Sequence, residues 1–75
     1  MEIFPGITVE SDQCGGKPCI RNHRLTVEHV LSLLAEGASA NDLIAEWDFL
    51  TPTDIQAALR FGSHLAAERQ IAIAS

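Results

Sequence analysis

The sequence predicts a mainly α domain, a small bundle of three helices behind a short amino-terminal β-strand or hairpin segment. Two observations carry this. From Thr26 onward the apolar residues recur at helical spacing, and three cap-type start signals divide that stretch into three helices. Ahead of Thr26 the punctuation belongs to loops and short strands: Pro5-Gly6, Gly15-Gly16 and Pro18.

Ile3 to Val9 is rich in Ile, Phe, Thr and Val, and Ile7-Thr8-Val9-Glu10 alternates as a short strand does. Cys14-Gly15-Gly16-Lys17-Pro18 is loop chemistry. Cys19-Ile20-Arg21 and Arg24-Leu25-Thr26 flank Asn22-His23, which predicts a tight hairpin with Asn22 at positive φ. Thr26 then caps a first helix whose apolar face holds Val27, Val30, Leu31 and Leu34, with Glu28 at its positive end and Gly37 as its left-handed stop. Ser39 with Asp42 opens a second, shorter helix carrying Leu43, Ile44 and Trp47. Residues 48–51 turn the chain. Thr51-Pro52-Thr53-Asp54 places a capping hydroxyl, a first-position proline and an acid in the order that starts a helix. Ile55, Ala58, Leu59, Gly62 and Leu65 follow at its spacing.

The chain of 75 residues is expected to form one domain, 1–75. Strand and loop occupy 1–25, the bundle 26–68 and a carboxy-terminal tail 69–75. Such a chain buries only roughly 60–65% of its unfolded surface, so association is expected. The apolar strand Ile7 to Val9, read as an unpaired edge, predicts a homodimer. The net charge of −5 argues against non-specific binding to nucleic acid or anionic membranes. No secretory signal or membrane span is visible, and two cysteines in that setting point to the cytoplasm. Charge is unevenly placed: residues 13–24 hold Lys17, Arg21 and Arg24 and no acid, whereas residues 27–59 hold six acids and no Lys or Arg.

Four stretches carry a resemblance. Cys14-Gly-Gly-Lys-Pro-Cys-Ile-Arg-Asn-His-Arg-Leu-Thr-Val27 is the most specific. Val30-Leu-Ser-Leu-Leu-Ala-Glu-Gly37, Asp42-Leu-Ile-Ala-Glu-Trp47 and Leu50-Thr-Pro-Thr-Asp-Ile-Gln-Ala-Ala-Leu59 follow it in register. Together they resemble the VapB-type antitoxin-like family known as domain of unknown function 433, over about residues 7–65. The chain departs from the family's pattern at Asn22-His23, where a Gly and a small residue are usual, and at Cys19, usually Val or Thr. The resemblance implies a homeodomain-like helix-turn-helix fold. It also implies the antitoxin half of a toxin–antitoxin pair, opposite a PIN-like ribonuclease whose metal sits in a carboxylate cluster.

An acidic body cannot approach such a pocket favourably, so toxin binding is expected from a basic segment. Arg69 is the first choice, with Ile71 and Ile73 beside it to fill apolar pockets or add a strand. The loop bearing Lys17, Arg21 and Arg24 is the second. The alternative function is a helix-turn-helix DNA-binding regulator with no toxin. There the last helix would offer Gln56 to adenine and Arg60 to guanine, while Asp54 would face phosphates. Operator DNA is therefore a candidate partner, contacted chiefly through Lys17, Arg21 and Arg24 of two protomers. Cys14, Cys19, His23 and His29 number enough for zinc, but C-x4-C-x3-H-x5-H is no common zinc spacing, so no metal and no cofactor are expected. Gly15-Gly16-Lys17 lacks the spacing of a phosphate loop, and the acids are scattered along helix surfaces. No catalytic residues are expected, and no enzyme.

Overall fold

The change of period at Thr26 is where sheet gives way to helix. The computed structural model of the protein describes residues 1–68. Within them three short strands, β1 (Glu2–Phe4), β2 (Ile7–Thr8) and β3 (Cys19–Ile20), precede three helices, α1 (Val27–Ala35), α2 (Ala40–Glu46) and α3 (Pro52–Glu68). The fold is thus mainly helical, with a three-stranded antiparallel sheet at its amino-terminal end.

That sheet corrects one expectation. β2 is its central strand, with Ile7 opposite both Phe4 and Ile20, and Thr8 opposite both Glu2 and Cys19. Ile7 and Ile20 are fully buried. The strand read as an unpaired edge is therefore satisfied on both sides, because Pro5-Gly6 folds Glu2–Phe4 back onto it. Gly6 has φ +83°, and a Cβ there would stand 3.2 Å from that of Ala57, so the turn lies directly on α3.

The turn after β3 is shifted by one residue from its predicted place. Arg21 (φ 39°) and Asn22 (φ 64°) are its two left-handed residues, and the His23 amide donates to the Ile20 carbonyl at 2.7 Å. Asn22 occupies the conformation its short polar side chain tolerates. Arg21 does not suit that conformation, and what offsets its cost is a side-chain contact described below.

The helix signals translate directly into hydrogen bonds. Thr26 Oγ1 accepts from the His29 amide at 3.0 Å, and Ser39 and Asp42 form a reciprocal capping box. At Gly37 (φ 105°) α1 ends in paired bonds, Ala38 N to Leu33 O and Gly37 N to Leu34 O, which satisfy its last carbonyls. Trp47 lies one residue beyond α2, as its C-cap.

The core joins all the elements: Ile7, Ile20, Leu25, Val30, Leu43, Leu50, Ile55, Ala58 and Phe61 pack together. On α3 Ile55 and Ala58 are buried as expected, but the rest of the buried face is turned from the one expected. Ala57 and Phe61 are inside, whereas Leu59 and Leu65 are 43% and 47% exposed. The sheet causes this, since the Phe4 ring packs against Phe61 at 5.4 Å between centroids.

Candidate partner-binding surfaces

Among the candidate residues Arg21 is the most tightly placed. Its Nε donates to Asp54 Oδ1 at 2.6 Å, and its Nη2 donates to Asp54 Oδ2 at 3.0 Å and to the Phe49 carbonyl at 2.8 Å. Asp54 sits in the first turn of α3 and is only 3% exposed. Its Oδ2 also accepts from the Thr51 amide (2.9 Å) and hydroxyl (3.0 Å), and Thr51 Oγ1 accepts from the Asp54 amide in return. Burial alone would raise this carboxyl. Hydrogen bonds from Arg21 and Thr51, with the guanidinium charge, outweigh burial and hold it below the ordinary carboxylate value. The same hydrogen bonds raise Arg21. One carboxylate thus caps α3, lies on its positive end and ties the helix to the turn after β3.

The other loop cations diverge from it. Lys17 pairs with Glu28 of α1 at 3.1 Å, both side chains more than half exposed. Arg24 lines a polar hollow of about 390 Å³ with Glu10, Asp12, Gln13 and Asn22. Lys17, Arg21 and Arg24 therefore face three different neighbours instead of forming one basic patch. Gln56 and Arg60 are exposed on α3, and their i, i+4 spacing puts them side by side. Among the described residues neither Arg24 nor Arg60 makes an ion pair. Arg69, Ile71 and Ile73 lie outside the described residues.

The cysteine–histidine set does not converge. The His23 ring stacks on Phe49 at 3.8 Å between centroids, and His29 meets Trp47 edge-on at 5.7 Å. Cys19 is buried and donates to the Lys17 carbonyl at 3.3 Å. Burial, aided by the nearby Cys14, pushes its thiol up to about 12. Among the described residues no group of three His, Cys, Asp or Glu side chains is placed to hold a metal ion.

One surface was missed in the sequence. An open apolar groove of about 560 Å³ runs between α1 and α3, lined by Pro18, Val27, Leu31, Ala35, Phe61 and Leu65, with Lys17 and Glu28 at its rim. Its signal was present in α1, where Val27, Val30, Leu31, Leu33 and Leu34 are more apolar residues than one packed face uses.

These elements define a small, mainly helical domain in which the turn after the last strand is ion-paired to the start of the last helix. The chain belongs to the DUF433 family: the family model, described as "Protein of unknown function (DUF433)", matches residues 7–62. That span includes both Arg21 and Asp54. Among solved structures, a DUF433 member protein from Anabaena variabilis is similar, with a TM-score of 0.78 and 28% identity over 84% of this chain. The match covers 62% of that longer chain. A comparison with curated proteins finds no match. Among the described residues no helix is long and apolar enough to cross a membrane.

Proposed function

We propose that this protein is the antitoxin of a type II toxin–antitoxin pair, a non-catalytic cytoplasmic module that binds and neutralises a PIN-like ribonuclease. The supporting observation is how the cations are used. Lys17 and Arg21 are engaged with acids of the body. Residues 63–68 at the end of α3 are all exposed, and Arg69, Ile71 and Ile73 follow them in the sequence. That segment joins a planar, bidentate cation to apolar side chains on a chain of net charge −5, which suits a carboxylate-lined metal pocket. Deleting residues 69–75 is expected to abolish inhibition of a partner PIN-like ribonuclease, with helical content by circular dichroism unchanged. Full inhibition by the shortened chain would move the contact to the loop of Lys17 and Arg24.

A second reading, operator binding by a homeodomain-like helix-turn-helix of α2 and α3, is favoured by one observation. Asp54, expected to face phosphates, is buried and neutralised by Arg21, which removes the nearest obstacle to groove entry by Gln56 and Arg60. In a mobility-shift titration on the chain's own upstream DNA, Arg60→Ala should then relax sequence preference. Neutralising Arg24 with Lys17 should weaken binding evenly and flatten its salt dependence. Absence of any shift at low salt would remove this reading. Autoregulation by an antitoxin joins the two.

A further inference from the structure

The last turns of α3 have few neighbours in the described chain, the nearest being the Phe4 ring, 5.5 Å from that of His64 between centroids. Every buried residue of this helix lies at or before Phe61, and residues 63–68 are all exposed. Leu65, 47% exposed, stands in the middle of that overhang. Short helices draw most of their stability from packing an apolar face, so an overhang of this kind calls for a cover. The apolar groove between α1 and α3 lies on the same side, because Leu65 itself forms one of its walls.

We propose that the occupant of this groove is α3 of a second copy of the chain, in a twofold dimer. A twofold axis across the groove brings Leu65 of each protomer over the groove of the other, so one surface serves as both knob and hole and the contact closes on itself. Each protomer supplies an overhang and a groove, so the contact is made twice. A chain this small needs that doubling to approach the roughly 800 Å² per protomer of a stable dimer. Gly62 keeps the floor low enough for a helix: it has no side chain, and even a methyl group there would come within 3.1 Å of Leu31. Charge fixes the pairing. Glu68 follows Leu65 by one turn on the same face, held within its own chain by an exposed contact with His64 at 3.1 Å, and Lys17 stands at the groove rim, held by an exposed pair with Glu28. In the dimer Lys17 of one copy meets Glu68 of its partner. This inference does not depend on the antitoxin reading.

Sedimentation equilibrium on the full chain tests it. The chain should dimerise in the micromolar range. Leu65→Glu and Ala35→Glu, both at exposed positions, should each raise the dissociation constant about tenfold or more while circular dichroism stays unchanged. Lys17→Glu should weaken the dimer, and adding Glu68→Lys should restore it. A monomer at all accessible concentrations, or a dimer indifferent to Leu65→Glu, overturns the proposal. So does a dimer lost on Ile71→Glu with Ile73→Glu, since the tail would then be the occupant.

Discussion

The guanidinium of Arg21 grips the carboxylate of Asp54 through two hydrogen bonds, 2.6 and 3.0 Å long, across 33 residues of sequence. It does so from a left-handed backbone that a β-turn requires and arginine disfavours. The two features support each other: the turn aims the side chain, and the ion pair offsets the cost of the turn.

Removing either partner should therefore be costly. Asp54→Ala removes one half of the capping box with Thr51 and the partner of Arg21, and should destabilise the fold by about 3–4 kcal/mol. Arg21→Ala leaves a buried carboxylate with its Thr51 bonds alone. Since Arg21 is 44% exposed and water screens part of the pairing, about 2 kcal/mol is expected. A double-mutant cycle by urea unfolding should return a coupling of about 1–3 kcal/mol. Additive losses would show that the two residues act separately.

The pair also sets an acid limit. Asp54 titrates below the ordinary 3.8 when folded, so its contribution is complete above that value and is lost as pH falls through the lower folded one. Asp42, held low by the Ser39 amide and hydroxyl, acts in the same direction. Thermal melts should show little change traceable to these groups between about pH 5 and 7, and a steep drop below about pH 4. Asp54→Asn should flatten that drop. An unaltered acid limb in this variant would assign the sensitivity to other carboxyls.

Cys19 should resist modification. Its thiol is buried, bonded to the Lys17 carbonyl and pushed up to about 12, whereas Cys14 is half-buried on the surrounding loop. Mass spectrometry after brief alkylation near neutral pH should find the label at Cys14, with Cys19 labelled only on unfolding. Equal labelling in the folded chain would contradict the packing described for β3.

Two glycine substitutions should separate conformation from contact. Gly6→Ala imposes a left-handed conformation on a residue with a Cβ and presses on Ala57, a cost of about 1–2 kcal/mol. Gly62→Ala gains about 1 kcal/mol of helix propensity and meets only the movable end of Leu31. It should be close to neutral for monomer stability. The order of the two in denaturant midpoints is the observable.

The helices were legible because their signals are local. Thr26, Ser39 with Asp42, and Thr51 with Asp54 lie within one turn of the amides they cap, so spacing alone identified them. The strands at Ile7–Thr8 and Cys19–Ile20 were legible, but their assembly into one sheet with β1 was not, because β1 and β2 are only three and two residues long and their pairing depends on the Pro5-Gly6 turn. Ile55 and Ala58 were legible on the buried face of α3, but Ala57 and Phe61 were not, for the same reason: they are inside because that sheet lies over them. As for the site, charge segregation identified Lys17, Arg21 and Arg24 as a group but could not reveal their three separate neighbours. The pairing of Arg21 with Asp54 spans the whole fold and has no local signature.

The central claim is that this chain silences a ribonuclease, and the most direct measurement is a titration of that enzyme's activity. The proposed partner, a purified PIN-like ribonuclease assayed on RNA with its divalent metal, should lose activity in proportion to added chain and reach a stoichiometric endpoint. Arg69→Ala combined with Ile71→Ser and Ile73→Ser should shift that endpoint far to the right. Undiminished cleavage in excess of the wild-type chain, with no complex on size exclusion, would contradict the account.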